Sequence, residues 1–235
     1  MLLLFRQLKS SIKDGSFRKY TFIAIGELIL VVLGILIAFQ LENLREEHQK
    51  RQSEKEIIKQ IHADFIYNEE QFLKTTAGHQ NVKNSVDWIL KELPLKESKQ
   101  PRDSIKKYLA GTFLAITFDP AQTSIESLIN NPTFDLITND SLRFYINRWK
   151  DVVEDYNEEE IGGQNTFYTR YTQYFIESIP LTQIVGPDSL QNMDALSTVE
   201  FENLVRERGI ATQYVLGEKG LVEHLLKRIL ELTKE

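Results

Sequence analysis

The sequence predicts an all-α protein, a single N-terminal transmembrane helix followed by an antiparallel helical bundle. One apolar run is long enough to cross a bilayer, and apolar residues elsewhere recur at helical spacing. No stretch sustains the period-two alternation of a strand between turn clusters.

The apolar run, TFIAIGELILVVLGILIAF, covers residues 21–39 with Glu27 as its only charge. As a helix it spans about 28 Å at ~1.5 Å per residue, close to the ~30 Å of a hydrocarbon core. Ahead of it lies a basic tail. Residues 1–20 carry a net charge of +4, whereas residues 42–235 carry −9. By the positive-inside rule the tail is cytoplasmic and the bulk of the chain lies outside, in the periplasm of a Gram-negative cell. A cleaved signal peptide has a shorter apolar stretch and a small-x-small cleavage site. None follows Ala38, so the expectation is an uncleaved signal anchor at residues 21–40.

In the tail, Leu4, Phe5, Leu8 and Ile12 share one helical face, with Arg6, Lys9 and Lys13 off it. This places Phe5, Arg6, Leu8, Lys9 and Lys13 against membrane lipid as an amphipathic helix among anionic head groups. A frayed basic tail that only sets topology is the alternative. Within the span, Ala24, Glu27, Val31, Gly34 and Ala38 follow spacings of three and four, so the carboxyl shares a face with small residues that allow close backbone approach. A carboxylate in lipid costs ~2.5–3.5 kcal/mol and calls for a partner or a proton. Three roles stay open for it: a helix–helix contact, snorkelling to the interface, and a proton or ion path.

Beyond the span, residues 42–56 are polar around the whole helix and packing begins at Ile57. Ile57, Ile58, Ile61, Phe65, Phe72 and Leu73 mark a helix from about Glu42 to Thr75, ended by Gly78. Val82, Val86, Ile89, Leu90 and Leu93 mark a second, stopped by Pro94. Asp103 or Ser104 caps a third, with Ile105, Tyr108, Leu109 and Phe113 inward. Residues 116–132 read as a turn-rich connector holding a short helix from Thr123 or Ser124 to Ile129. Asn139, Asp140 and Ser141 cap a stripe of Leu142, Tyr145, Ile146, Trp149, Val152, Val153 and Tyr156. It resumes after Gly162 and Gly163 with Phe167, Tyr171, Tyr174, Phe175 and Ile179, as one helix or two. Pro180 to Leu196 is a loop. Ser197 or Thr198 caps a helix begun by Phe201, Leu204 and Val205, and Tyr214, Leu221, Leu225, Leu226, Ile229 and Leu230 follow Gly209 to the C-terminus.

Chemistry is sparse in this pattern. With no cysteine, disulfides, thiolate catalysis, cysteine-ligated zinc and lipoprotein attachment are excluded. The acidic outer segment disfavours nucleic acid as a partner. His48, His62, His79 and His224 form no metal-binding spacing and read as surface or rim residues. His62 with Asp64, Glu69 and Glu70 is the nearest to a ligand cluster, but these point different ways around a helix. The acids Asp151, Glu154, Asp155, Glu158, Glu159 and Glu160 read as a solvated face opposite Trp149. Tyr168, Tyr171 and Tyr174 suggest an aromatic groove or, more economically, core packing. No nucleophile elbow, P-loop or dinucleotide fingerprint occurs, so neither enzyme activity nor a cofactor or metal is expected.

The residues Phe17-Arg18-Lys19-Tyr20, Ala24-Ile25-Gly26-Glu27, Val31-Val32, Gly34-Ile35-Leu36-Ile37-Ala38, Gln40 and Asn43, with Asp135-Leu136-Ile137 and Asn139-Asp140-Ser141-Leu142-Arg143 further on, are similar to the domain-of-unknown-function family 6090. The resemblance covers most of the chain in order, although Leu44 stands where the family tends to have a tryptophan. It implies a single-span protein of Gram-negative bacteria with a helical outer domain, and no activity.

The expected function is that of a non-enzymatic inner-membrane scaffold or accessory subunit. Its partners would be membrane lipid and either further copies of itself, as a homo-oligomer, or another envelope protein. A periplasmic sensor signalling through a partner is one alternative, since twenty cytoplasmic residues hold no output domain. A stator-like subunit using Glu27 in proton coupling is the other.

Overall fold

The computed structural model describes residues 16–234, apart from the side chains of residues 16–18, 20 and 122–124. Phe5, Arg6, Leu8, Lys9 and Lys13, expected at the membrane surface, lie outside the described residues. Among the described residues every regular element is helical and none is a strand. Helix α1 covers Ser16–Glu92, α2 Arg102–Thr112, α3 Gln122–Ile129, α4 Asp140–Thr166, α5 Thr172–Ser178 and α6 Val199–Thr233. Short 3-10 turns lie at Pro132–Leu136, Leu181–Gln183 and Ala195–Ser197, and one π-turn at Phe167–Tyr171.

The chain divides into two compact units, Met1–Lys55 and Glu56–Glu235. In the first, α1 is long and apolar enough to cross a membrane: its most apolar eighteen residues have a mean hydropathy of 2.8 and none is buried. Its polar continuation, Glu42 to Gln52, is exposed all round. The second unit starts next to Ile57, where the apolar period begins in the sequence.

Two apolar cores fill the second unit. One gathers Ile61, Phe65 and Phe72 of α1 with Ile125, Phe134, Ile146, Trp149, Val153, Tyr156, Val222, Leu226 and Ile229. Its aromatic rings meet edge to face, Phe65 on Trp149 at 4.9 Å and Phe72 on Tyr156 at 5.4 Å between centroids. The other gathers Val82, Val86 and Ile89 of α1 with Ile105, Leu109, Phe167, Tyr171, Phe175, Phe201 and Val205. Each such side chain, once removed from water, contributes roughly 1.5–3 kcal/mol. α1 and α6 serve both cores because their apolar periods run unbroken past the polar positions between them.

Several boundaries differ from the sequence expectation. Gly78 does not end a helix: α1 continues to Glu92, because apolar packing on both sides of the glycine outweighs its propensity cost of ~1 kcal/mol. α4 likewise runs through Gly162 and Gly163, and the irregularity falls later, at the π-turn. α6 passes Gly209 without a break. Pro101 takes the N-cap position of α2, putting Asp103 and Ser104 inside its first turn. Asn139 caps α4 by accepting from Leu142 N–H, and Thr198 caps α6 by accepting from Phe201 N–H. Leu73, Tyr214 and Leu221, counted on inward stripes, are 60%, 63% and 50% exposed, one helical position out of phase with the core.

The glycines separate into two kinds. A Cβ at Gly162 would meet nothing, whereas at Gly209 it would fall 2.8 Å from Val86 Cγ1, a β-branched atom held stiff in α1. Gly162→Ala should therefore stabilise the protein by up to ~1 kcal/mol. Gly209→Ala should destabilise it by ~1–3 kcal/mol. Chemical denaturation of the two variants checks the opposite signs.

Candidate functional site

Several of the buried polar side chains of the second unit, Thr75, His79, Glu160, Arg208 and Thr212 among them, fall along their helices between the residues of its two cores. On α1, the buried positions Phe65, Asn68, Phe72, Thr75, His79, Val82, Val86 and Ile89 form one stripe, and its polar members fall in the middle. On α4 the stripe Trp149, Val153, Tyr156 continues to Glu160. On α6, Arg208 and Thr212 stand between Val205 and Val215. The helical period alone thus carries a histidine, a glutamate and an arginine inward.

Glu160 is the centre of this layer. Its residue is 3% exposed, and its two oxygens each take one donor. His79 Nε2 lies 2.8 Å from Oε1, and Phe118 N–H donates to Oε2 at 2.9 Å. A carboxylate can only accept, so Nε2 carries the proton in this contact. The Tyr156 and Thr76 hydroxyls are buried nearby, close enough to each other for Thr76 to act on the Tyr156 phenol, but neither makes a hydrogen bond of good geometry. Burial first, and the Glu160 charge second, push the Tyr156 hydroxyl well above the ordinary tyrosine range.

Arg208 makes the second half of the layer. Its Nε donates to Thr112 O at 3.2 Å and one terminal nitrogen to Leu114 O at 2.7 Å. Its guanidinium also sits 4.4 Å from the centroid of the Phe167 ring. Burial pulls its pKa below the usual arginine value. Thr112 bonds in turn to the Tyr171 hydroxyl at 2.7 Å, and burial pushes that phenol up to about 12 against the opposing pull of Thr112 and Arg208.

These side chains share a target, the non-helical segment between α2 and α3. Apart from Phe113 N–H, which closes on Ala110 O of α2, its backbone has no ladder or helix to bond to, yet Leu114 O, Thr117 O, Phe118 N–H and Ala121 N–H are each held by a side chain, as is Thr112 O at the end of α2. Thr75 supplies the bond to Thr117 and Asn68 that to Ala121. A cavity of about 10 Å³ beside His79, Glu160, Gln164, Arg208 and Thr212 has room for about one water. The hydroxyls of Tyr156, Thr76 and Thr212 are further polar groups beside the pair. The arrangement holds a chain segment in place.

Two expectations are corrected here. His79 is buried rather than at the surface, and Glu160 leaves the solvated acidic face, whose other members Asp151, Glu154, Asp155, Glu158 and Glu159 are exposed. The period held the signal, since Glu160 follows Tyr156 by four residues and His79 follows Thr75 by four, in phase with both cores. His48 and His224 are exposed, and His62 is half-buried with Nδ1 2.8 Å from Thr233 Oγ1. Tyr171 is core, Tyr168 is 55% exposed, and Tyr174 bonds to Ala195 O, so the three form no groove. Among the described residues no three His, Asp or Glu side chains gather as a metal site.

The residues of the proposed membrane contact, Ala24, Glu27, Val31, Gly34 and Ala38, are all exposed. Among the described residues, a Cβ at Gly34 would meet no atom within 4 Å.

Removing one side of a buried pair strands the other. Glu160→Ala and His79→Ala should each destabilise the second unit by ~3–5 kcal/mol, with Glu160→Ala the worse because it also orphans Phe118 N–H. The double variant should cost less than the sum of the two, a coupling that a double-mutant cycle in urea measures. Alkali is the second test. The folded pKa of Tyr171 lies above its unfolded value near 10, so its stabilisation is complete below ~10 and is lost as pH rises toward 12. Tyr156 adds a loss of the same sign. Unfolding midpoints at pH 9 and 11.5 should differ, and Tyr171→Phe should narrow the difference.

No protein-family model, no curated protein and no solved structure matches the chain.

Proposed function

We propose that the protein is a non-enzymatic, single-span scaffold or accessory subunit of the bacterial inner membrane. In this reading the N-terminus is cytoplasmic and the helical outer unit is periplasmic, as the resemblance to family 6090 also implies. The span self-associates or binds another envelope protein through the face of Ala24, Glu27, Val31, Gly34 and Ala38. One observation carries this reading: apart from Glu27 that face is apolar and mostly small, it bears a glycine, and among the described residues all five of its members are exposed. A lone helix in lipid has no use for close-approach residues or a carboxylate, whereas a helix pair uses both. The outer unit offers a second contact in the same style. On α6, Ile210, Tyr214 and Leu221 are at least half exposed and flank Gly217 and Gly220, where a Cβ would meet nothing.

The full-length protein, purified in mild detergent, should run as an oligomer or a complex in native mass spectrometry. Gly34→Leu should shift it toward the monomer, and unchanged assembly would remove this face from the contact. Glu27→Gln should leave assembly intact, because the amide keeps a donor and an acceptor without the charge. Lost function with intact assembly would instead favour the proton-coupled reading. Topology is tested separately: protease added to spheroplasts should digest the C-terminal unit, and its protection there would invert the orientation.

A further inference from the structure

Beside the first core, α1, α3 and the 3-10 turn at Pro132–Leu136 enclose a cleft of about 240 Å³, all of it within the second unit. Ile57, Ile61, Ile125 and Leu128 form its apolar wall. Its polar side chains are Gln60, Asp64, Ser127, Asn131 and Thr133. Asp64 is half-buried and, among the described residues that line the cleft, is the only charged one. Among the described residues it has neither an ion pair nor a side-chain hydrogen bond. An apolar cavity of ~150 Å³ takes up benzene, so this volume holds a benzene-sized body and a short polar arm. With no base in the wall, an anion would meet Asp64 uncompensated. A cation would turn the same carboxylate into a charge-assisted hydrogen-bond acceptor.

We infer that this cleft is a binding site for a small amphipathic amine, its apolar body on Ile57, Ile61, Ile125 and Leu128 and its ammonium on Asp64. The Asn131 carboxamide oxygen is already committed to Thr133 N–H and Oγ1, which fixes that side of the mouth. The Ser127 and Gln60 side chains are exposed at the rim and remain free to bond a polar arm. The site goes beyond the scaffold reading and stands or falls independently of it.

Three probes with the same phenyl body and different charge test it on the full-length protein in lipid nanodiscs, with empty nanodiscs as the blank: benzylamine, benzyl alcohol and benzoate. Saturation-transfer NMR at neutral pH should show benzylamine bound with a roughly millimolar Kd, as suits eight heavy atoms. Benzyl alcohol should bind about tenfold more weakly, the difference expected of one charge-assisted hydrogen bond, and benzoate not measurably. Asp64→Asn should bring benzylamine down to the alcohol's level while leaving the alcohol unchanged. Leu128→Trp, which fills the cleft from its half-buried rim, should abolish both. Benzoate binding as well as benzylamine, or a benzylamine signal that survives Leu128→Trp in a folded protein, overturns the site. A loss of oligomerisation in Gly34→Leu with amine binding retained would separate it from the membrane contact.

Discussion

A carboxylate placed between two apolar cores is the constraint on which the second unit depends. Glu160 removed from water would cost several kcal/mol on its own, so the unit can fold only with donors already in position. His79 comes from α1, Phe118 N–H from the segment after α2, and Glu160 itself from α4. One anionic group therefore fixes three parts of the chain at a single level. Sliding α1 along α4 by one turn moves the imidazole ~5.4 Å away and strands the charge. Apolar side chains alone tolerate such slips far better, because leucine on isoleucine is much the same one turn along. The polar layer thus makes registry expensive to change where the flanking cores, rich in interchangeable aliphatic contacts, would leave it loose.

The same layer explains how an irregular segment, exposed at Leu114, Ala115, Thr117 and Asp119 but buried at Phe118 and Pro120, is pinned against the first core. Residues 113–121 form no helix or strand, and a buried backbone without partners carries a penalty at every N–H and C=O. Asn68, Thr75, Glu160 and Arg208 replace the missing backbone partners from three different helices. Phe118 then drops between Phe72, Trp149 and Tyr156, its ring 5.0 Å from Phe72. The segment gains its conformation from its surroundings, and the surroundings gain a hydrophobic plug from the segment. Folding of the two is therefore coupled.

Helix content was legible in the sequence wherever the apolar period ran long, as from Leu142 to Tyr156, and caps were legible where Asn139 and Thr198 stood before such a run. Helix ends at glycine were not. Gly78 carries a propensity cost of ~1 kcal/mol, which tertiary packing on both sides overrides, and a single sequence does not show that packing; for the same reason it leaves one helix or two open at Gly162 and Gly163. The polar layer was missed for a different reason. Charge was weighed by residue type, so Glu160 was grouped with its exposed neighbours Glu158 and Glu159, although its phase matched Tyr156 and Val153. The cleft at Asp64 had no signal at all, because its walls come from residues more than sixty positions apart.

Glu27 and Glu160 pose the same electrostatic problem with opposite means of solving it. Each lies on a helix face whose neighbours are apolar or small. For Glu160 the chain supplies both donors, and the helix it sits on is surrounded by other helices of the same unit. Around Glu27 the helix is bare: Ile23, Leu30 and Val31, one turn to either side, are 51%, 69% and 59% exposed. If that helix lies in lipid, as proposed, no water is at hand to satisfy the carboxyl, and among the described residues its neighbours one turn away are aliphatic. The missing donor then has to come from a proton or from another helix, and Gly34 and Ala38, two and three turns further along the same face, are what would let a second helix come close enough to provide it. The demand for a partner is thus set by the charge, and the smallness of its neighbours determines that the partner can be a helix.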